Sequence, residues 1–586
     1  MERPKRRPDP RSGTKTQPGE IARADGCTLH SCRVGALPIL SRLLERMRLQ
    51  EFLSAYLPRA DRRCRIAPPI GIGLLLKNLL VSREPLYGIG GWAARYAPAS
   101  LGFADAQLPS LNDDRVGRCL DRLFASDIPS LILALMAHVV QEFDVQLDEL
   151  HNDSTTITFH GAYTNAAQEE RRGKRKELTR LAITWGHNKD HRPDLKQLLY
   201  ILTVSHDGGV PVYFQAASGN VVDDKTHCAT WEVLRQLTGR ADFLYVADCK
   251  LASAENMAYI HQRGGRFITI LPRTRKEDGD FRAKLANEQV TWRVIHEVRD
   301  DDGELEDQYS VNEPEALSAE GYRVVWYHST SKAQRDAHAR HEQVERAARA
   351  LAELRGKLSS PKTRYREEDK VAAAVTTILE ERGVGRFVMV EIVKRTVEKF
   401  HQDGPGRPSK GSRYIKEEST RFDLTVSIDY ERLAAETRYD GIFPLITNVP
   451  TLPARELLLA YKGQPKIEKR FSHLKTDFKV APVFLKEVSR IQALLCVYFF
   501  ALLTEALLER ELRRAMDRDG LASLPLYPEG RKCCRPTART LIDHFDEVQR
   551  HTLIMAGQPP VVLTTALTKL QRKVLALLRM TGAYDG

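Results

Sequence analysis

The 586-residue chain lacks several patterns that mark common classes of protein. Its nine cysteines include no Cys-x-x-Cys pair, which argues against a disulfide framework or a cysteine-rich zinc site and favours a reducing cytosol. No Gly-Lys-Ser/Thr phosphate loop and no Gly-x-Ser-x-Gly nucleophile turn occurs, so the sequence implies neither ATP nor a serine nucleophile. The chemistry must be sought in other residues.

Long apolar runs are also missing. The longest, LLCVYFFALL at 494–503, has ten residues, whereas a bilayer span needs about 20, so we expect no transmembrane helix. The first 20 residues lack the apolar stretch of a secretory signal. We therefore expect a cytoplasmic protein without a membrane partner.

Positive charge is in excess. Lysine and arginine number 89 against 77 aspartates and glutamates, a net charge of +12. Hydrophobic residues make up 42% and charged residues 28%, which excludes wholesale disorder. The excess favours an acidic partner such as nucleic acid, although charge alone is a weak signal.

Composition and apolar periodicity predict an α/β protein with helical regions on both sides of its core. The N-terminal helices include Asp113–Phe124, with Asn112 as its N-cap, and they could read DNA ends or form a dimer. Strands, a hairpin turn at Asp207-Gly208 and helices then alternate in the order of an RNase H-like mixed sheet. The predicted segments are a disordered basic tail at 1–26, a helical domain at 27–145, the core at 146–274, an α+β insertion at 275–440, the rest of the core at 441–515 and a helical region at 516–586.

Three acidic residues could share one site. Asp153 lies in the first β-rich stretch of the core, Asp248 ends the strand FLYVA, and Glu468 lies in the first turn of a helix that starts near Pro465. Acids at strand ends face the cleft where α/β sheets bind ligands. Three carboxylates brought together repel one another unless cations lie between them, and carboxylate oxygens suit Mg²⁺. Taken singly, each acid is more often a cap, a turn residue or a solvated side chain.

Four sequence strings resemble the DDE transposases of bacterial insertion sequences. They are HNDSTTITFHG around Asp153, the long string GHNKDHRPDLKQLLYILTVSHDGGVPVYFQAASGNVVD, YVADCKLASAEN around Asp248, and YKGQPKIEKRFSHLKTDFKVAPVF around Glu468. The last is similar to the Tyr-Arg-Glu-Lys motif of one branch. The resemblance covers roughly residues 100–510.

The resemblance implies an RNase H-like core that uses two Mg²⁺ ions, or Mn²⁺ in their place, to cut element ends and join them to target DNA. Asp153, Asp248 and Glu468 match the metal-binding acids, and Tyr461 and Lys475 match the Tyr and Lys of the branch. A homodimer on double-stranded DNA in the bacterial nucleoid, without ATP, is implied as well.

One motif position departs from the family. Gln464 stands where the branch has Arg. The sequence therefore leaves open whether the reaction forms a DNA hairpin intermediate. Lys462, Lys466 or Arg470 could contact phosphate instead, so Lys466 and Arg470 join Tyr461 and Lys475 as candidate DNA-binding residues. Because Glu468 and Lys475 are seven residues apart, an α-helix would place them on one face. Pro465, however, predicts a break after Tyr461.

Other patterns carry less weight. His187 and His191 are four residues apart, like two zinc ligands, but Pro193 indicates a loop and no third ligand string accompanies them. The basic segments Arg171–Lys176, Arg273–Lys276 and Lys462–Lys475 could form a track for DNA. Two alternatives to transposition stay open: a nuclease of the same fold that does not join DNA, and an inactive or domesticated DNA-binding derivative.

Overall fold

The computed structural model describes residues 20–24, 27–59, 64–161, 163, 170–171, 179–300, 302–360, 362–408, 410–478 and 485–585. Most of the predicted tail and of the basic segment Arg171–Lys176 lies outside these ranges. The chain is a mixed α/β protein that forms two compact units. The first unit combines Met1–Thr269 with Leu458–Gly586, and the second is Ile270–Leu457.

The first unit begins with a helical region. Asn112 caps the helix at Asp113–Phe124, as predicted, because its side-chain oxygen accepts a hydrogen bond from the Arg115 N–H. Buried leucines, isoleucines and valines on these helices form the local core. The helices are α1 (Leu37–Arg46), α2 (Leu49–Tyr56), α3 (Pro68–Val81), α4 (Ile89–Ala93), α5 (Pro98–Leu101), α6 (Asp113–Phe124) and α7 (Ile128–Phe143).

A mixed sheet with the strand order β7-β6-β3-β8-β9 forms the centre of this unit. Strands β3, β8 and β9 run parallel to one another, whereas β3–β6 and β6–β7 are antiparallel. Helices α8 (His227–Thr238) and α9 (Ala254–Gln262) connect the parallel strands. The sheet strands are β3 (Glu149–Phe159), β6 (Lys196–Ser205), β7 (Pro211–Ser218), β8 (Leu244–Ala247) and β9 (Arg266–Ile270), and β4 (Glu170–Arg171) and β5 (Thr179–Arg180) form a separate pair.

The remaining helices of the first unit follow the inserted second unit. They are α14 (Ala454–Tyr461), which spans the unit boundary, α15 (Pro465–Ser472), α16 (Val488–Arg518), α17 (Ala538–His544) and α18 (Lys569–Leu577). By length and composition alone α16 could cross a membrane, and so could α6 and α7 taken as one bent span. However, 94% of the most apolar 18-residue stretch of α16 is buried in the protein, as expected of a core helix.

A second sheet joins the two ends of the described chain. Strands β1 (Glu20–Ala24), β2 (Cys27–Arg33), β16 (Gln549–Met555) and β17 (Val561–Thr564) pair in that order. The sequence predicted a disordered tail up to residue 26 and a helix at 537–550. The structure instead has β1 within that tail and, after α17 ends at His544, the strand β16.

The second unit contains a run of four antiparallel strands and its own apolar core. The sheet order is β10-β11-β12-β15, and a long hairpin ribbon is formed by β13 and β14. The strands are β10 (Arg293–Arg299), β11 (Leu305–Asn312), β12 (Arg323–Ser329), β13 (Val388–Gln402), β14 (Tyr414–Ile428) and β15 (Ile442–Thr447), and the helices are α10 (Lys276–Asn287), α11 (Thr330–Ser359), α12 (Glu368–Arg382) and α13 (Tyr430–Glu436). The strand that the sequence predicts at 443–447 is confirmed as β15, and its assignment to the catalytic core stays a prediction.

Candidate active site

Two of the predicted acids lie on neighbouring parallel strands. Asn152 on β3 is in register with Ala247 on β8, and Asp153 and Asp248 are the next residues of these two strands. Asp153 lies in the middle of β3 and Asp248 directly after β8, as the sequence predicts. The parallel register therefore places two residues that are 95 positions apart in sequence side by side in the sheet.

The carboxylate of Asp153 has a hydrogen-bond donor and a positive charge beside it. Its Oδ1 accepts a hydrogen bond from the Ser154 N–H at 2.7 Å and is paired with the Lys189 ammonium at 3.2 Å. Lys189 also donates to the Ser154 carbonyl at 2.8 Å. Burial is the main cause that raises the pKa of Asp153 to about 6; the charge of Lys189 lowers this pKa, and the charge of Asp248 raises it by less. The two aspartates therefore repel each other, but burial, rather than this repulsion, keeps the pKa of Asp153 high.

Asp248 is held by the turn that follows β8. Its Oδ1 accepts a hydrogen bond from the Lys250 N–H at 3.1 Å, so Asp248 caps a 3₁₀ turn over Cys249–Ala252. Its backbone carbonyl accepts a hydrogen bond from the Thr269 hydroxyl on β9 at 2.5 Å. These contacts fix the backbone of Asp248 and leave its side chain half-buried at the sheet edge.

The charges of all three acids affect the pKa of Tyr461. Burial raises the pKa of Tyr461 far above its ordinary value, and the charges of Asp248, Cys249, Glu468 and Asp153 raise it further. The charges of Asp248, Glu468 and Asp153 therefore all act on this one phenol. Glu468 itself is exposed on α15, and α15 packs against β3 and β6.

The basic residues of α15 differ sharply in their surroundings. Arg470 is only 2% exposed and donates to the carbonyls of Gly209 at 2.9 Å and Gly208 at 3.1 Å. It also pairs with the buried Glu509 at 3.2 Å. The prediction that Arg470 binds DNA is therefore wrong, because every side of this guanidinium is committed inside the protein. Arg470 instead fastens α15 to the turn between β6 and β7.

Lys466 lies one helical turn earlier and contacts the same turn. Its ammonium lies 3.1 Å from Nδ1 of His206 and donates to the His206 carbonyl at 2.8 Å. Lys462, in contrast, is exposed. A DNA contact by Lys466 stays a prediction and would require Lys466 to leave His206.

Lys475 lies in a π-helical turn, His473–Asp477, that continues from α15. The wider turn changes the angular spacing, so the α-helical argument for a face shared with Glu468 does not apply. The Lys475 ammonium pairs with Asp190 at 2.5 Å, and Asp190 also accepts a hydrogen bond from Thr156 on β3 at 3.4 Å. Lys475 thus lies over the same strand as Asp153.

A second cluster lies at the start of β3. His151 Nε2 and His206 Nδ1 approach the same oxygen, Oε1 of Glu149, at 2.8 and 2.7 Å. Burial opposes ionisation of Glu149, but the hydrogen bonds from the two histidines lower its pKa to about 2. Within the described residues, this is the one group of three acidic, histidine or cysteine side chains whose ligand atoms all lie within 4.8 Å of one another. Asp153, Asp248 and Glu468 do not meet that distance, and His187 and His191 are not in the group.

Sequence reasoning missed Lys189, Asp190 and the cluster of Glu149, His151 and His206. The cluster could have been found from strand periodicity, because residues 149, 151 and 153 alternate onto one face of β3. Lys189 and Asp190 lie in a loop, where no periodicity indicates which side chains reach the sheet.

Of the other predicted basic segments, Arg273–Lys276 belongs to the second unit, where Arg275 is paired with Glu277 and Glu320.

A family model matches the N-terminal part of the chain. Residues 29–137, which include α1 to α6 and most of α7, match the family model described as domain of unknown function DUF4277. No curated protein matches the chain. The matched region agrees closely in extent with the helical domain predicted at 27–145.

Proposed function

We propose that this protein is a transposase that cuts DNA at the ends of an insertion sequence and joins the freed ends to target DNA. The observation that carries the proposal is the register of β3 and β8, which sets Asp153 beside Asp248, and the charges of both aspartates and of Glu468 acting on Tyr461 support it. These acids come from positions 153, 248 and 468 of the chain, in the order and on the elements that the resemblance to DDE transposases implies. The strand order of the first unit, in which only β6 runs opposite to the other four strands, supports an RNase H-like core.

The donor set fits magnesium. All three side chains offer carboxylate oxygens, which Mg²⁺ prefers over nitrogen or sulfur. A two-ion site spaces its ions about 3.5–4 Å apart, so its three carboxylates need not share one coordination sphere. Mg²⁺ held by Asp153, Asp248 and Glu468 would stabilise the charge that develops on the attacking and leaving oxygens.

The other side chains bind and orient DNA in this proposal. A water oxygen attacks a phosphodiester at the element end and breaks its P–O3′ bond, so that the 3′ oxygen leaves and takes up a proton in place of the one the water loses. The freed 3′-OH then attacks a phosphodiester of the target, whose own 3′ oxygen leaves and is protonated in the same way. Lys475 exchanges Asp190 for a DNA phosphate, and Lys189 neutralises charge beside Asp153. Tyr461, on whose phenol the charges of the acids act, offers its ring or hydroxyl to a nucleotide next to the cleaved bond.

Cleavage of a labelled duplex tests this function. The duplex is built from the DNA that flanks the coding sequence and is incubated with Mg²⁺ or Mn²⁺ at several salt concentrations. We expect nicking at a defined position by the wild type and by Glu255→Ala, a matched exposed carboxylate on α9. Asp153→Ala, Asp248→Ala and Glu468→Ala should each lose cleavage.

The alternatives give different products. Cleavage without products joined to a second duplex would indicate a nuclease of the same fold. Specific binding without any cleavage would indicate an inactive DNA-binding derivative. Cleavage that survives Glu468→Ala would show that the third acid is a different residue.

A further inference from the structure

The cluster of Glu149, His151 and His206 has the residue types and the placement of a metal site. We propose that these three side chains bind one first-row transition-metal ion of the Zn²⁺ class, separate from the Mg²⁺ site proposed above. This inference concerns a different ion and different ligands, and it does not depend on the DNA chemistry of the protein.

Strand pairing brings the three ligands together. Leu150 pairs with Ser205 across the antiparallel β3–β6 ladder, and the His206 N–H donates to the Glu149 carbonyl at 3.0 Å. His206 is therefore the cross-strand neighbour of Glu149, and such neighbours lie with their Cβ atoms about 4.5–5.5 Å apart on one face. His151, two residues beyond Glu149, lies on the same face. The cluster is thus set by the sheet itself rather than by a flexible loop.

The ligand atoms already converge. The His151 and His206 nitrogens lie 2.8 and 2.7 Å from the same Glu149 oxygen. Bonds of about 2.0–2.1 Å to a tetrahedral ion would place neighbouring ligand atoms about 3.3 Å apart. Each nitrogen therefore has to move by only about 0.6 Å relative to the carboxylate oxygen. The side chain of His206 is 51% exposed, so it can make this movement and water can reach the fourth position.

Ligand chemistry selects the ion. Two imidazoles and one carboxylate suit Zn²⁺ and its neighbours in the first transition row, whereas Mg²⁺ prefers an all-oxygen sphere. Two histidines and one glutamate are also a ligand set that zinc enzymes use. Asp153 lies two residues beyond His151 on the same face, about 7 Å along the strand. The two sites are therefore neighbours that take different ions.

Lys466 competes with the metal ion for the Nδ1 atom of His206. Its ammonium lies 3.1 Å from His206 Nδ1, the same nitrogen that would bind the ion. The long lysine stem is flexible, and its second contact, with the His206 carbonyl, does not involve that nitrogen. Binding of the ion thus breaks one contact of Lys466 and leaves the other available.

Zinc titration of the metal-free full-length protein tests the proposal. The titration is followed by calorimetry and by metal analysis after gel filtration, in the wild type, His206→Ala and Glu149→Gln. His187→Ala is the matched control because His187 is an exposed histidine of a nearby loop. Asp248→Asn tests whether the carboxylate site contributes. Circular dichroism establishes that each variant is folded.

We expect one Zn²⁺ per chain at micromolar concentration in the wild type, His187→Ala and Asp248→Asn. Removal of a hydrogen-bonding partner of a metal ligand commonly weakens binding about 10–100-fold, so loss of a ligand in His206→Ala or Glu149→Gln should weaken it at least about 100-fold. The absence of stoichiometric zinc in the wild type would overturn the site. Unchanged affinity in both ligand variants would also overturn it and would indicate binding by other groups such as thiols. Zinc binding by a protein that never cleaves DNA would overturn the proposed function alone.

Discussion

Arg470 and Lys475 are basic residues five positions apart, yet one lies inside the protein and the other near its surface. The difference comes from their partners. Arg470 meets two backbone carbonyls and Glu509, whereas Lys475 pairs with the exposed Asp190. An ion pair that is buried and fully hydrogen-bonded is costly to break from one side, but an exposed pair exchanges partners easily. Of these two residues, only Lys475 is suited to bind a phosphate.

This contrast predicts that Arg470→Ala acts on stability. Removing the guanidinium leaves Glu509 and two carbonyls buried with a partner missing, which should cost about 3–5 kcal/mol. Urea unfolding followed by circular dichroism measures the loss. Arg455→Ala, at an exposed position of α14, should stay within about 0.5 kcal/mol of the wild type. If Arg470→Ala unfolds like the wild type and loses only DNA affinity, Arg470 is a DNA contact after all.

Asp153 predicts a stability effect with a definite pH dependence. Because its folded pKa of about 6 lies above the ordinary aspartate value, ionisation of Asp153 costs folding free energy that builds up between about pH 4 and pH 6 and has its full value above pH 6. In metal-free buffer, Asp153→Asn should therefore stabilise the protein at pH 7.5 by up to about 3 kcal/mol. Loss of the Lys189 pair reduces this gain.

The advantage of Asp153→Asn should shrink as the pH falls from 7.5 to 5, since Asp153 becomes protonated in the folded wild type over that range. Thermal unfolding of both proteins in EDTA at the two pH values measures the difference. Equal stability of wild type and variant at pH 7.5, or an advantage that grows at pH 5, would contradict the assignment of a raised pKa to Asp153.

At the scale of elements, the short connection between α14 and α15 controls where Glu468 lies. Gly463 lies in this connection, directly against the buried ring of His151. A Cβ atom at Gly463 would lie 2.5 Å from Cε1 and 2.7 Å from Nε2 of that ring, closer than packed atoms approach. His151 is fully buried and cannot withdraw, so α15 would have to shift.

Gly463→Ala should therefore displace Glu468 without unfolding the protein. We expect a stability loss of about 1–3 kcal/mol, as for overpacking elsewhere, and DNA cleavage reduced at least about tenfold, because a misplacement of 1 Å can cost about a hundredfold. Gly73→Ala on α3 is the control, since no atom lies within 4 Å of its added Cβ. Cleavage at the wild-type rate in Gly463→Ala would show that the position of α15 is not critical.

Local chemistry made some elements predictable from sequence. Asn112 is followed by a periodic helix, FLYVA is an apolar run that ends in Asp248, and Pro465 both ends α14 and begins α15. The contacts that the sequence did not indicate are long-range. Arg470 is buried by Gly208 and Gly209, more than 250 positions away. No local pattern reports such partners, so a basic helix face was interpreted as a DNA surface.

At the scale of the whole molecule, the first unit is assembled from two stretches of chain. Asp153 and Asp248 come from the first stretch and Glu468 from the second, and the 188 residues of Ile270–Leu457 form a unit between them. The sheet of β1, β2, β16 and β17 also combines the two stretches, because β16 pairs with β2 along seven residues. The sequence predicted a helix where β16 begins, since its partner strand is more than 500 positions away.

The pairing of β2 with β16 predicts that a substitution that disrupts β16 also exposes β2. Leu553 pairs with Leu29 on β2 and with Val561 on β17, so Leu553→Pro should remove a ladder hydrogen bond and cost about 3 kcal/mol. Leu553→Thr keeps the backbone hydrogen bonds and is the matched control. Limited proteolysis should cut the proline variant within Cys27–Arg33, far from the substitution in sequence. Unchanged cleavage there would show that β2 does not depend on β16.

The same pairing has a consequence for how the protein is made. Strand β2 leaves the ribosome with its partner still unsynthesised, and at about 5–20 residues per second β16 follows after roughly half a minute to a hundred seconds. During that interval β2 has an open edge that can pair with other chains. A product of premature termination before Gln549 never acquires β16. Such fragments would keep an open strand edge that proteases and chaperones can recognise, so incomplete copies should be removed faster than finished ones.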